Sequence, residues 1–204
     1  ALVISIVIHE VAHGYMANWL GDPTARLAGR LTLNPVSHID IVGSVLVPAF
    51  LFFTNAGILF GWAKPVPYNP YNLKNQRWGE ALVAAAGPGV NIIIALVFAL
   101  AVRLGVLYGV SPAFFEIAGY IVYINLLLAC FNMIPLPPLD GSKILGALLP
   151  LRAEIRYREL LAQIEQYGFM TTFVFIFLFI YLLSKPFSAF VGVLFTLLTG
   201  MGSV

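Results

Sequence analysis

Three ionisable side chains, His9, Glu10 and His13, stand within five residues of one another inside the apolar run ISIVIHEVAHGYMANW, Ile4 to Trp19. No other feature constrains the fold as strongly. The flanking residues are Val, Ile, Ala, Met and Trp rather than the polar face of a soluble helix. A charged group at bilayer depth costs about 2.5–3.5 kcal/mol on insertion scales, so the trio needs compensation. At i and i+4 the two histidines lie one above the other on one helix face. That spacing lets two imidazole nitrogens share one tetrahedral Zn²⁺ at about 2.0–2.1 Å. Glu10 is rotated off the line of the histidines, yet close enough to act as general base on a water activated by the ion. The plainer reading, two helix histidines bonded to neighbours, leaves the cost of burying all three groups unanswered.

The rest of the chain fits a bilayer. Of its 204 residues 60% are hydrophobic and 10% charged, against about 25% charged in a soluble domain. The expected fold is an all-α polytopic membrane protein, with about five to six transmembrane or re-entrant helical segments and a short β-hairpin at the membrane edge. A net charge of +2 is too small to suggest a nucleic-acid partner; the 11 basic residues read instead as topology signals. Cys130 is the only cysteine, which excludes an internal disulfide. Without an internal repeat or a low-complexity linker, residues 1–204 read as a single domain with its catalytic core at about 1–145. The chain opens at Ala1, already inside an apolar helix, while a full span needs about 20 residues. The natural start is therefore expected upstream.

Helix signals place a first helix at about Leu2 to Leu20, stopped by Gly21-Asp22-Pro23. Between Thr24 and Pro35, Arg26, Arg30, Thr32 and Asn34 partly alternate with Leu27, Leu31 and Leu33, which predicts the edge strand or hairpin. Residues Ile39 to Ala63 are apolar but carry Pro48 at their centre. Basic residues on both flanks (Arg26 and Arg30; Lys64, Lys74 and Arg77) favour a re-entrant hairpin over a plain crossing. Trp62, Tyr68, Tyr71 and Trp78 suit an interfacial aromatic belt. Long helices are expected over about Gly79 to Leu107, with Arg103 snorkelling at its end, and over Phe114 to Ile134. Pro135, Pro137 and Pro138 then break the chain before Asp140-Gly141. Arg152 to Gln166 reads as a polar cytoplasmic helix, and Phe169 to Leu183 and Phe187 to Thr199 as further apolar segments.

A catalytic zinc ordinarily takes a third protein ligand. Asp22, His38, Asp40, Glu80, Glu116 and Asp140 are the candidates. Asp22 follows the stop signal, His38 and Asp40 suit a solvated interface, Glu80 suits a helix N-terminus, and Glu116 falls near the opposite surface. Asp140 closes a proline-broken stretch of the kind tolerated at membrane depth where it lines a cavity, although it also suits a helix N-cap. Asn91 and Asn132 read first as interhelical hydrogen-bonders and second as lining a water or substrate route.

HEVAH in an apolar helix, GPGVN in a later one and NMIPLPPLDG ending another together resemble the site-2 protease family of intramembrane zinc metalloproteases, in a compact form without a PDZ or CBS domain. The matching motifs span residues 9 to 141. The resemblance implies one Zn²⁺ per chain with His9, His13 and Asp140 as ligands and Glu10 as catalytic base. It implies a substrate path lined by Asn132 and the Pro135 to Pro138 segment, including Pro137. The implied substrates are transmembrane segments of membrane proteins, cut in regulated intramembrane proteolysis. The implied setting is multi-pass in the cell membrane, with the site opening toward the cytoplasm. An unwound substrate is expected to pair by strand addition with the Ala25 to Leu33 stretch or with residues 135–138. A non-proteolytic metal-binding protein or transporter is the rival reading; it has no need of Glu10, and the paired repeats of transporters are absent from the sequence.

Overall fold

The computed structural model describes residues 1–53, 61–166, 168, 174 and 178–202. The run around His9 forms α1, Leu2–Trp19. It ends where Gly21 takes a positive φ of 111°, a turn that other residues adopt only with strain. A single turn, α2, covers Thr24–Leu27, and a 3₁₀ turn covers Pro35–His38. A wide helical turn over Ile41–Leu46 leads into α3, Val47–Phe53. Residues 61–69 have no regular structure. Then come α4, Gln76–Tyr108; α5, Pro112–Asn132; α6, Asp140–Leu148; α7, Leu151–Glu165; and α8, Ser184–Thr199.

The hub is α4, which packs against α1, α5, α6 and α8. It can do so because the residues it turns inward are small. Ala81, Ala84, Gly87, Ala95 and Ala99 are all buried, which lets neighbouring backbones approach closely. Ala95 and Ala99 close a core with Val122 and Leu126 of α5 and Val191 and Phe195 of α8. Ile93, Val97, Leu100 and Val106 are exposed on the outside of α4, as residues facing lipid would be. Among the described residues three helices are long and apolar enough to cross a membrane: Gln76–Tyr108, Pro112–Asn132 and Tyr181–Thr199. At about 1.5 Å per residue α4 is about 50 Å long, well beyond a hydrocarbon core of about 30 Å. Its first turns are charged. There Arg77 pairs with Glu154 (3.1 Å), and Arg158 bridges Glu154 (3.0 Å) and Glu80 (3.3 Å). Arg77 also donates to the carbonyls of Ala147 and Leu149, tying the end of α6 to the start of α4.

Several expectations change. Among the described residues there is no strand, so the hairpin over Thr24 to Pro35 does not form: Thr24–Leu27 is helical and the rest is irregular. The partial alternation has another cause. Ala25 and Arg30 turn inward, and one terminal nitrogen of Arg30 donates to the carbonyls of Lys64 and Pro65. Arg103, exposed near the end of α4, donates to the carbonyls of Leu197 and Leu198 and closes the end of α8. The expected span over Phe169 to Leu183 lies mostly outside the described residues, as do residues 54–60. The two arms of the Ile39 to Ala63 segment do meet. Trp62 N–H donates to the Gly43 carbonyl (3.1 Å), Ser44 Oγ to the Trp62 carbonyl (2.8 Å) and Lys64 N–H to the His38 carbonyl (2.9 Å). Entry and exit thus lie side by side.

One buried acid locks this arrangement. Asp22 has no exposed surface. It accepts from Thr24 N–H (3.2 Å) and Oγ1 (2.5 Å), Asn69 N–H (2.6 Å) and Asn72 Nδ2 (2.8 Å). Burial alone would raise its pKa; the hydrogen bonds from Thr24, Asn72 and Asn69 outweigh burial and hold it below the ordinary value. A depressed carboxylate pKa stabilises fully above the unfolded value of about 3.9, and the contribution disappears as pH falls through the folded value. Asp22→Ala is expected to cost about 3 kcal/mol, because it strands buried donors. Thermal unfolding in detergent should show a lower Tm for the variant near neutral pH, with the difference from wild type shrinking as pH falls below about 3.9.

Candidate metal centre

His9 and His13 come from α1 and Asp140 from the first residue of α6, more than 120 positions later in the chain. Their side chains converge. His9 Nε2 and His13 Nε2 are 3.1 Å apart, and each lies 3.3 Å from Asp140 Oδ2. His9 is 6% exposed and Asp140 Oδ2 is buried without a conventional hydrogen-bond partner.

The tautomers decide what this cluster is for. His13 Nδ1–H donates to the Val83 carbonyl at 2.7 Å, and a carbonyl can only accept. His9 Nδ1–H donates to Asn91 Oδ1 at 3.0 Å. With both Nδ1 atoms bonded away from the centre, imidazoles in the neutral form that binds a metal point their Nε2 lone pairs at each other and at a carboxylate oxygen. Three acceptors facing one another without a proton between them repel. A cation at their centre removes the conflict, and ligands at about 2.0–2.2 Å in a tetrahedron stand about 3.3–3.6 Å apart, close to the observed separations. Second-side hydrogen bonds to Nδ1 are also what orient metal-binding histidines. The three residues are the group of His, Cys, Asp and Glu able to hold a metal ion among the described residues.

Two glycines make the convergence possible. A Cβ on Gly87 of α4 would collide with the His13 ring and with His9 Cε1, so only glycine leaves room for the imidazoles. A Cβ on Gly141 would strike the backbone carbonyls of Met133 and Ile134. That approach pins Asp140 to the turn that follows α5. Glu10 is half-buried, and its Oε2 accepts from the Val66 N–H at 3.0 Å. The carboxylate is thereby held to one side of the cluster, with Oε1 outside that bond.

The other candidates lie elsewhere. Asp22 serves the loop described above. His38 is buried rather than solvated and bonds the Thr32 carbonyl (2.9 Å); Asp40 caps the turn at Gly43; Glu80 pairs with Arg158; Glu116 is exposed. Asn91 is fully buried against His9 and orients its ring. Asn132 Nδ2 donates to Leu128 of its own helix, the Pro135 carbonyl accepts from Tyr157, and Pro137 is buried. Gly87, the Val83 carbonyl and the Val66 N–H escaped the sequence reading as parts of this centre. Backbone groups carry no side-chain signature. A glycine that follows Ala84, Ala85 and Ala86 looks like one more small packing residue until the helix that meets it is known.

Gly87→Ala is expected to lower divalent-metal affinity by about tenfold or more, while Gly89→Ala, where a Cβ meets nothing within 4 Å, leaves it unchanged. Asn91→Ala should weaken affinity about 10- to 100-fold with the helices intact. Metal titration of purified protein, with circular dichroism as the folding control, measures both.

The chain is similar to several known proteins. The family model described as "Peptidase family M50" matches residues 110–179. "Putative zinc metalloprotease YwhC" of Bacillus subtilis is 39% identical over 185 residues, covering 88% of this chain and 78% of that protein. "Putative zinc metalloprotease Rip2" of Mycolicibacterium smegmatis is 27% identical, covering 84% of this chain and 63% of that protein. "Putative zinc metalloprotease MJ0611" of Methanocaldococcus jannaschii is 40% identical over 90 residues, covering 43% of this chain and 46% of that protein. No solved structure matches the chain. The likeness to YwhC over most of both chains and the family match together place the protein: it belongs to peptidase family M50, the site-2 proteases.

Proposed function

We propose that this protein is an intramembrane zinc metalloprotease that hydrolyses peptide bonds in or near transmembrane segments of membrane proteins, in regulated intramembrane proteolysis. The observation that carries the reading is the convergence of His9 Nε2, His13 Nε2 and Asp140 Oδ2, with both Nδ1 atoms bonded away from the centre. These three residues hold one Zn²⁺ per chain. When bound, zinc supplies the Lewis acidity that brings the pKa of water to about 7 and polarises a carbonyl.

The chain's own residues do the rest. Glu10, held by the Val66 N–H, takes a proton from the attacking water and returns it to the leaving amine. Asn91 and the Val83 carbonyl hold the two imidazoles in one tautomer and one orientation. Gly87 stands ten residues beyond Arg77 on α4, about 15 Å along the axis. This depth supports cleavage beneath the headgroups. The substrate must arrive locally unwound, since an intact helix keeps its peptide groups in i→i−4 bonds. Its path follows Asn132 and the turn carrying Pro135 and Pro137, beside Asp140. With no strand among residues 25–33, strand addition falls to residues 135–138. Lys64, Lys74, Arg77, Lys143, Arg152, Arg156 and Arg158 put these loops in the cytoplasm of a multi-pass cell-membrane protein, with the site opening to that side. A metal-binding protein without proteolysis accounts for the three ligands but gives Glu10 no task.

Glu10→Gln is expected to retain one zinc per chain and to lose cleavage of a membrane-spanning test peptide by about 10²–10⁴-fold. Metal analysis and a cleavage assay in proteoliposomes measure the two. Stripping zinc with a chelator should abolish wild-type cleavage, and adding zinc back should restore it.

A further inference from the structure

Arg30 is a cation buried without a counter-charge. It is 9% exposed, and no carboxylate lies within 4 Å of it among the described residues. Its Nε has no hydrogen-bond partner. One terminal nitrogen donates to the carbonyls of Lys64 (2.8 Å) and Pro65 (3.4 Å). A buried charge left unpaired is expensive, and a neutral donor would bond a carbonyl at lower cost. What this arrangement accomplishes lies one residue further on, where the Val66 N–H reaches Glu10.

The intervening backbone is stiff. Pro65 and Pro67 flank Val66 and fix their own φ. Val66 is buried with its side chain in the space left by Gly14, where a Cβ would come within 2.7 Å of Val66 Cγ1. Gly14 lies one turn beyond Glu10, on the same face of α1. Further along, the segment is held by Asp22 at Asn69, and by the Leu20 carbonyl accepting from Lys74 N–H (3.1 Å). At the near end Lys64 N–H is held by His38. Between those anchors, Arg30 is the side chain that grips the two carbonyls immediately before the amide Glu10 uses.

We propose that Arg30 is a positioning residue for Glu10: its guanidinium fixes the Lys64–Pro65 carbonyls, and through them the Val66 N–H that aims the carboxylate. The proposal rests on the protease reading for its effect on turnover, but the linkage itself is a property of the metal-free chain. Arg30 touches neither the metal ligands nor the substrate path. Its loss therefore acts on kcat and leaves KM and zinc content alone.

Two measurements on the full chain in detergent test this. The first needs no activity. Val66 carries the only backbone N–H between Pro65 and Pro67, so its hydrogen exchange is read without overlap from its neighbours. In metal-free protein its exchange should accelerate about tenfold or more in Arg30→Ala, and equally in Glu10→Ala. Arg30→Lys, which retains the cation but loses the planar fork, should fall between wild type and Arg30→Ala; it carries the test if Arg30→Ala does not fold. The second uses zinc-loaded protein and a membrane-spanning peptide. Arg30→Ala should lower kcat about 10- to 100-fold with KM and zinc content within about twofold of wild type, and Arg30→Lys should recover part of the loss. Unchanged Val66 exchange, unchanged kcat, or a loss of zinc or rise in KM that accounts for the defect would overturn the proposal. If wild-type protein with zinc cleaves no such peptide, the protease reading fails, while the exchange result still decides whether Arg30 positions Glu10.

Discussion

Two imidazole lone pairs and a carboxylate oxygen, buried and facing one another within 3.3 Å, are the interaction on which the rest of this structure depends. Left alone, such a cluster is repulsive and poorly solvated. The fold nevertheless supports it from every direction. Asn91 and the Val83 carbonyl take the Nδ1 protons, Gly87 clears space for the rings, and Gly141 presses Asp140 against the turn after α5. A chain that arranges so much around three acceptors is arranged for a cation.

The bundle answers to that requirement. α4 carries Val83, Gly87 and Asn91 along the face that meets α1, one helical turn apart, and the small residues further along the same helix let α5 and α8 close behind it. Its first turns hold α6 through Arg77, and with it Asp140. One long helix thus sets the positions of ligands that come from distant parts of the chain. The irregular segment after residue 61 does the corresponding work for Glu10. It is fastened by Asp22 and Arg30, two charged residues that burial would otherwise exclude.

Much of this was legible in the residues. The i, i+4 spacing of His9 and His13 depends only on helix periodicity, so their shared face followed directly. The long apolar helices, the proline break before Asp140 and the doubling back of the Ile39 to Ala63 segment likewise follow from local rules and charge placement. The hairpin over Thr24 to Pro35 failed because a period of two over a few residues cannot distinguish a strand from an irregular segment whose inward residues, Ala25 and Arg30, meet other parts of the chain. Asn91 was legible as an interhelical hydrogen-bonder, but not as the partner of His9, because that partner lies 82 positions away. The Val83 carbonyl and Val66 N–H belong to the backbone, and no side-chain pattern announces them.

X-ray absorption at the zinc edge of purified, zinc-loaded protein tests the central claim most directly. The expected result is one zinc per chain with two imidazole nitrogens and at least one carboxylate oxygen at about 2.0–2.1 Å, and loss of the oxygen contribution from Asp140 in an Asp140→Ala variant. Zinc below stoichiometry, or a first shell without two imidazoles, would contradict it.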